Sequence, residues 1–148
     1  MSRNVKKVVS TAVMLAVGMT VGATGVQLFN SHSAKKGLKR DIEVAQEYAN
    51  MLRVLSDIYH KQADCYARED LSKITRENSD LAKNCANDVE ELTRIAEDIS
   101  GKIFVSERDK KKIVELEQTI DTTDFQYWKN LIESEKKELE KMKTGIAE

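Results

Sequence analysis

The fold class follows from residues 38–66, LKRDIEVAQEYANMLRVLSDIYHKQADCY. Residues recur here at alternating steps of four and three, the spacing of one face of an α-helix, with Ser56 and Ala63 filling the gaps between the apolar residues of the first stripe. A second apolar stripe lies beside the first, so the apolar face is wider than a two-stranded coiled coil requires. The two stripes comprise Leu38, Ile42, Ala45, Ala49, Leu52, Tyr59 and Tyr66, and Val44, Tyr48, Met51, Leu55, Ile58 and Cys65. We therefore predict a first helix over roughly residues 38–75 that packs against more than one neighbour.

The composition of the whole chain supports a nearly all-helical protein. Its 148 residues include no proline, 24 basic residues and 25 acidic residues. The absence of proline argues against β-rich folds and proline-punctuated loops. A nucleic-acid-binding protein normally carries a clear basic excess, which this chain lacks. We therefore expect no nucleic-acid partner.

Polar capping residues and glycines divide the rest of the chain into further helices. The expected helix starts are Asn78 or Ser79, a capping box at Ser106–Asp109 and a second box at Thr123–Gln126, and the expected stops are Gly101 and Gly145. These signals occur where helices begin and end. They predict an all-α domain of about four helices, either a hairpin or bundle or a projecting coiled coil, with the first turn near Arg76.

The N-terminal region has the layout of a membrane-targeting segment. Residues 1–7 form a short basic head, residues 8–29 are apolar and uncharged, and residues 30–37 form a basic juxtamembrane linker. As a helix, the 22 residues of the apolar segment would span about 33 Å, enough to cross a bilayer core of about 30 Å. We predict a signal-anchor transmembrane helix, followed by the helical domain over residues 38–148.

Cleavage of this segment is the alternative. A signal peptide also has a basic head, an apolar stretch and a small-residue cleavage site, and sites after Ala23 or Ser33 fit that pattern. Basic residues flank both ends of the segment, so their distribution only weakly sets the orientation. We expect the N-terminus inside and the helical domain outside the cell (inner) membrane, or a periplasmic or secreted domain after cleavage. A cytoplasmic C-terminal domain is a third possibility.

Two groups of residues near this segment are candidate membrane contacts. Gly18 and Gly22 form a GxxxG pair, which lets two membrane helices pack closely. Such glycines are also common in membrane helices without that role. Lys35, Lys36, Lys39 and Arg40 form a basic cluster that would contact anionic lipid headgroups or simply flank the membrane helix.

Cys65 and Cys85 are candidates for a disulfide. If the helical domain is extracytoplasmic, oxidation is permitted. In a hairpin that turns near Arg76, the two cysteines would lie at nearly the same level, with a mismatch of only about 3 Å. Two free cysteines, serving as small core residues, are the alternative.

No motif for covalent chemistry is present. His60 lies near Asp64 and Cys65, but a zinc site needs three or four converging ligands. The carboxylates lie among lysines at helical spacings, typical of a solvated surface. We expect no enzyme activity, no metal, no cofactor and no small-molecule substrate.

These features predict a single-pass anchored protein that acts by tethering and by helix-mediated contacts with other helical proteins or with itself. The order of basic head, membrane helix and extracytoplasmic helical region resembles that of inner-membrane spanin subunits of phages, although no diagnostic motif is shared. That resemblance implies pairing with an outer-membrane lipoprotein during host lysis. A secreted helical binding or inhibitor domain, released by cleavage, is the other alternative.

Overall fold

The computed structural model of the chain describes the backbone of residues 32–145 and the side chains of residues 36–145. This part of the chain contains α-helices and no β-strand. Four helices form a bundle: α1 (His32–Cys65), α2 (Glu69–Ser100), α3 (Glu107–Asp121) and α4 (Phe125–Lys143). The all-α prediction is therefore confirmed for these residues.

None of these four helices combines the length and the apolar character that crossing a bilayer requires. Residues 8–29, where we predict the membrane helix, lie outside the described residues, and so do Gly18 and Gly22.

The two long helices, α1 and α2, form an antiparallel hairpin. Close to the loop that joins them, Arg76 donates a hydrogen bond to Asp64 at 2.6 Å. Toward the other end, Gln46 donates to Glu97 at 2.9 Å. The hairpin interior combines large side chains of α1 with small residues of α2, all with no solvent exposure: Leu52, Leu55, Ala82, Ala86 and Ala96. Burial of one leucine contributes about 1.5–3 kcal/mol, so burial of this seam stabilises the hairpin.

α1 also contacts α3 and α4, which confirms that its wide apolar face packs against more than one helix. α4 runs beside α1 in the same direction. Near its beginning, the ring of Trp128 lies 6.0 Å from that of Tyr48, and further along Glu135 accepts a hydrogen bond from Gln62. α3 packs against α1 and α2.

The predicted capping signals are partly confirmed. The Ser106 side chain accepts a hydrogen bond from the Asp109 backbone, and the Asp109 side chain accepts one from the Ser106 backbone, which completes the predicted box. α4, however, is capped by Asp124, whose side chain accepts from the backbone N–H of Tyr127. Thr123 is not the cap because its hydroxyl donates to a backbone carbonyl of α3 instead.

Glycines follow α2 and α4 at the expected places. Gly101 is the C-cap of α2 and keeps an αR backbone. Gly145 follows the C-cap of α4 with a φ of 75°, a left-handed conformation that glycine adopts without strain.

The predicted first turn near Arg76 is wrong. α1 ends at Cys65 and α2 begins at Glu69, so the turn falls about ten residues earlier. The polar residues that suggested a helix start, Asn78 and Ser79, lie inside α2 and are buried against α1. The Arg68 side chain makes no capping hydrogen bond, so the true turn carries no capping signal.

This turn also separates the two cysteines. Cys65 is exposed at the end of α1, whereas Cys85 is buried in the interior of α2. From the start of α2, Cys85 lies about 24 Å along the helix axis, beyond the reach of a disulfide. Both cysteines are free, and the predicted pairing is not present in the structure.

Candidate interaction surfaces

A reciprocal serine pair holds the middle of the α1–α2 hairpin together. Ser56 and Ser79 each donate a hydroxyl hydrogen bond to the other's backbone carbonyl at 2.7 Å, and their hydroxyl oxygens lie 3.0 Å apart. Both hydroxyls are therefore fully engaged in the helix contact. An open groove lies beside the pair, lined by Arg53, Ser56, Asp57, His60, Ser79 and Lys83. Its polar lining has the character of a solvated surface.

Arg53 connects α1 to α2 at the edge of this groove. Its Nε donates to one carboxylate oxygen of Glu90 at 2.7 Å, and its Nη2 contacts the other oxygen. Nη2 also donates to the Asn87 side chain at 2.7 Å. This bidentate geometry lowers the pKa of Glu90 through its hydrogen bond with Arg53. The three side chains set the register of the two helices on their outer surface.

A buried carboxyl group lies between α1 and α4. Glu135 is only 4% exposed, and Gln62 donates to its side-chain Oε1 at 2.8 Å and to its backbone carbonyl at 3.1 Å. Burial raises the pKa of Glu135, and the hydrogen bond from Gln62 opposes that rise. The hydroxyl of nearby Tyr59 is buried without a hydrogen-bond partner among the described residues. Sequence patterns did not predict this cluster, since a glutamate among lysines is typical of a solvated surface.

Carboxyl groups also meet where α1 faces α3. Burial raises the pKa of Asp41, the carboxyl of Asp121 raises it further, and the neighbouring Arg40 lowers it. Burial likewise raises the pKa of Glu117, with Asp41 and Asp121 adding to the effect.

One flank of α2 presents apolar residues that the bundle covers only in part. Ile74, Leu81 and Ile95 recur at steps of seven and fourteen, which places them on the same side of the helix. All three are of intermediate exposure, although Leu81 and Ile95 pack against the core. We call these three residues the α2 flank. The position between Leu81 and Ile95 in this series is the exposed Asp88, so the flank is an interrupted apolar stripe.

The end of the bundle where α1 begins carries exposed basic and apolar side chains. Lys36, Lys39 and Arg40 are exposed, as the predicted lipid contacts require, and the side chain of Lys35 is not described. In the loop between α2 and α3, the side chains of Ile103 and Phe104 are 77% and 89% exposed. In sequence these two residues read as a short apolar connector, and their exposure follows only from the fold.

His60 and its sequence neighbours Asp64 and Cys65 lie near the end of α1. His60, Asp64 and Cys65 are all exposed along the last turns of α1. Over residues 36–145, no three His, Cys, Asp or Glu side chains are placed to hold a metal ion together. Of the two cysteines, Cys85 has the buried thiol, and this burial raises its pKa to about 11. A high pKa keeps this thiol protonated and unreactive at neutral pH.

Comparison with known proteins gave no match. No protein-family model matches the chain, and no curated protein and no solved structure is significantly similar to it.

Proposed function

We propose that this protein is a single-pass membrane-anchored helical protein that acts by tethering and by helix-mediated contacts with other proteins, without covalent catalysis. The N-terminus would lie inside the cell membrane and the bundle outside it. The observation that carries the proposal is how closely the apolar segment and the helical bundle follow each other in the chain. Only two residues separate the apolar segment 8–29 from His32, the first residue of α1.

The length of α1 supports a tethering role. Its 34 residues span about 51 Å at 1.5 Å per residue. A bundle anchored at the start of α1 would therefore hold the loop between α1 and α2 up to about 50 Å from the membrane surface. The antiparallel α2 braces α1 along nearly all of this length, through the buried seam and the Arg53–Glu90 contact.

The α2 flank supports a role in protein–protein contact. Ile74, Leu81 and Ile95 share one side of α2 and remain partly accessible to solvent. Another helical protein or a second copy of this chain would bury them.

Extraction of membranes at alkaline pH tests the anchoring. The chain should remain with the lipid, and the double variant Met14→Arg/Val17→Arg should be released. Each arginine costs about 2.5–3.5 kcal/mol near the centre of a membrane helix. The matched control Ser31→Arg adds one basic residue just outside the segment and should stay anchored. A soluble mature protein that begins at Thr24 or Ala34 would refute the tether and favour the secreted domain.

Orientation is tested separately with reporter fusions after residue 148. The proposal expects activity from a reporter that works only outside the cytoplasm. Activity from a cytoplasmic reporter alone would contradict the proposed topology, while leaving the anchoring itself intact.

The contact surface is tested by sedimentation of the full chain in detergent, alone and after chemical cross-linking. If the α2 flank mediates self-association, Leu81→Lys should shift the chain toward monomer. Val54→Lys is the matched control, because Val54 is an exposed apolar residue of α1 outside that flank. Equal effects of both variants would argue against a specific role for the flank.

A further inference from the structure

We propose that the loop between α2 and α3 is a second membrane contact, in which Ile103 and Phe104 insert into the interface of the bilayer that holds the N-terminal segment. This inference rests on the proposed membrane anchoring. It adds an apolar contact made by the folded bundle itself.

The exposure of the two side chains is the first observation. Ile103 and Phe104 are 77% and 89% exposed, whereas the other exposed large hydrophobic residues in the described part, Val54 and Tyr127, are each 41% exposed. Val105, the next residue, packs against the core. On the other side, the backbone N–H of Lys102 donates to the carbonyl of Ile99 at 2.9 Å. The loop is thus held at both sides while its two apolar side chains protrude.

The position of the loop is the second observation. Because α1 and α2 are antiparallel and Gln46 contacts Glu97, the end of α2 lies beside the first turns of the described α1. The loop therefore belongs to the end of the bundle from which the chain continues back to residues 8–29. The opposite end, marked by the exposed Cys65, lies about 40 Å away along α1.

The charge distribution is the third observation. Residues 35–40 and 102–112 together contain nine basic residues and two acidic residues. The rest of residues 35–148 contains 12 basic and 23 acidic residues. Acidic residues of the neighbouring turns, among them Asp41, Glu97 and Asp121, also lie at this end of the bundle. The basic excess is therefore local to the start of α1 and the loop, where an anionic lipid surface would attract it.

A second copy of the chain is a poorer occupant of this surface. Two protruding side chains can bury roughly 300–400 Å², whereas a stable protein interface buries about 800 Å² on each partner. Aromatic and aliphatic side chains surrounded by basic residues are instead the composition of surfaces that lie in the headgroup region.

The test uses the full chain in vesicles of zwitterionic lipid mixed with anionic lipid. A polarity-sensitive fluorophore is attached at residue 104 in the variant Phe104→Cys/Cys65→Ser. Cys85 is buried and should not react. The matched control carries the fluorophore on the native Cys65 at the far end. Lipids with a quencher at a shallow acyl position are then added to both preparations.

We expect the fluorophore at residue 104 to emit at shorter wavelength than that at residue 65, and to be quenched several-fold more strongly by the lipids. Equal, water-like emission at both sites in a membrane-bound chain would overturn the loop contact and leave the anchoring intact. A blue shift at residue 104 without lipid quenching would also overturn it, because a protein surface would then cover the loop. A chain that does not float with the vesicles would refute the anchoring and the loop contact together.

Discussion

Replacement of Glu135 with glutamine should stabilise the bundle at neutral pH. Glu135 is 4% exposed, and its described side-chain partner is the neutral amide of Gln62. Burial raises the pKa of Glu135 above its ordinary value of 4.5, so the native state binds a proton more readily than the unfolded chain does. Its contribution to stability is therefore fully present below about pH 4.5 and is lost as the pH rises through the raised native pKa.

The expected gain can be bounded from these contacts. An imperfectly satisfied buried polar group costs about 1–3 kcal/mol, and more when it is charged. Against this, Glu135→Gln exchanges a charge-assisted hydrogen bond from Gln62 for a neutral one, a loss of about 1 kcal/mol. The net gain in unfolding free energy at pH 7.5 should be on the order of 1–2 kcal/mol, which corresponds to several degrees in Tm.

Trp128 is the only tryptophan of the chain and packs at the α1–α4 contact, so its fluorescence reports unfolding where the change is made. Thermal unfolding is measured from pH 4 to pH 8 for the native chain, Glu135→Gln and the control Glu133→Gln, whose carboxylate is exposed beside Lys136. The advantage of Glu135→Gln should grow with pH, while the control should show little change. A variant of equal or lower stability at pH 7.5, or a gain independent of pH, would refute the reasoning.

Three further predictions concern the bundle and its cysteines. Ser106→Ala should lower stability by about 1 kcal/mol in thermal unfolding followed by circular dichroism, because it removes the capping box of α3; an unchanged Tm would contradict the cap. In the same assay, Leu52→Ala should cost about 2–5 kcal/mol, since Leu52 has no exposure, whereas Val54→Ala, at 41% exposure, should change stability by less than about 0.5 kcal/mol. A thiol reagent should modify the exposed Cys65 quickly and the buried Cys85 only after unfolding. Mass spectrometry of the monomer should find no two-dalton increase on reduction; an increase would show that the two cysteines form a disulfide.

Much of the local structure could be predicted because it depends on neighbours along the chain. The spacing of apolar residues in residues 38–66 predicts the wide face of α1, and that face contacts three helices. The capping box at Ser106 is equally local, because its donors and acceptors lie within three residues of one another.

The first turn could not be predicted, for a physical reason. Nothing in residues 66–68 caps a helix, whereas Asn78 and Ser79 are strong capping residues. In the fold, Ser79 lies inside α2 and its hydroxyl is paired with Ser56 across the hairpin, so it does not cap a helix. Contacts between distant residues therefore decided the position of the turn, and the capping signal at Asn78 and Ser79 did not. The predicted Cys65–Cys85 pairing depended on a turn near Arg76, so it is absent as well.

By itself, the sequence determined the helical class of the described domain, because the absence of proline and the three-and-four spacing of apolar residues act within single helices. It also contains the apolar segment and basic flank from which membrane anchoring is proposed. Only the tertiary structure decided that Glu135 is buried and that Ile103 and Phe104 protrude. Burial depends on which helices meet, and α4 covers Glu135 by packing on α1, while no described element covers the loop after α2.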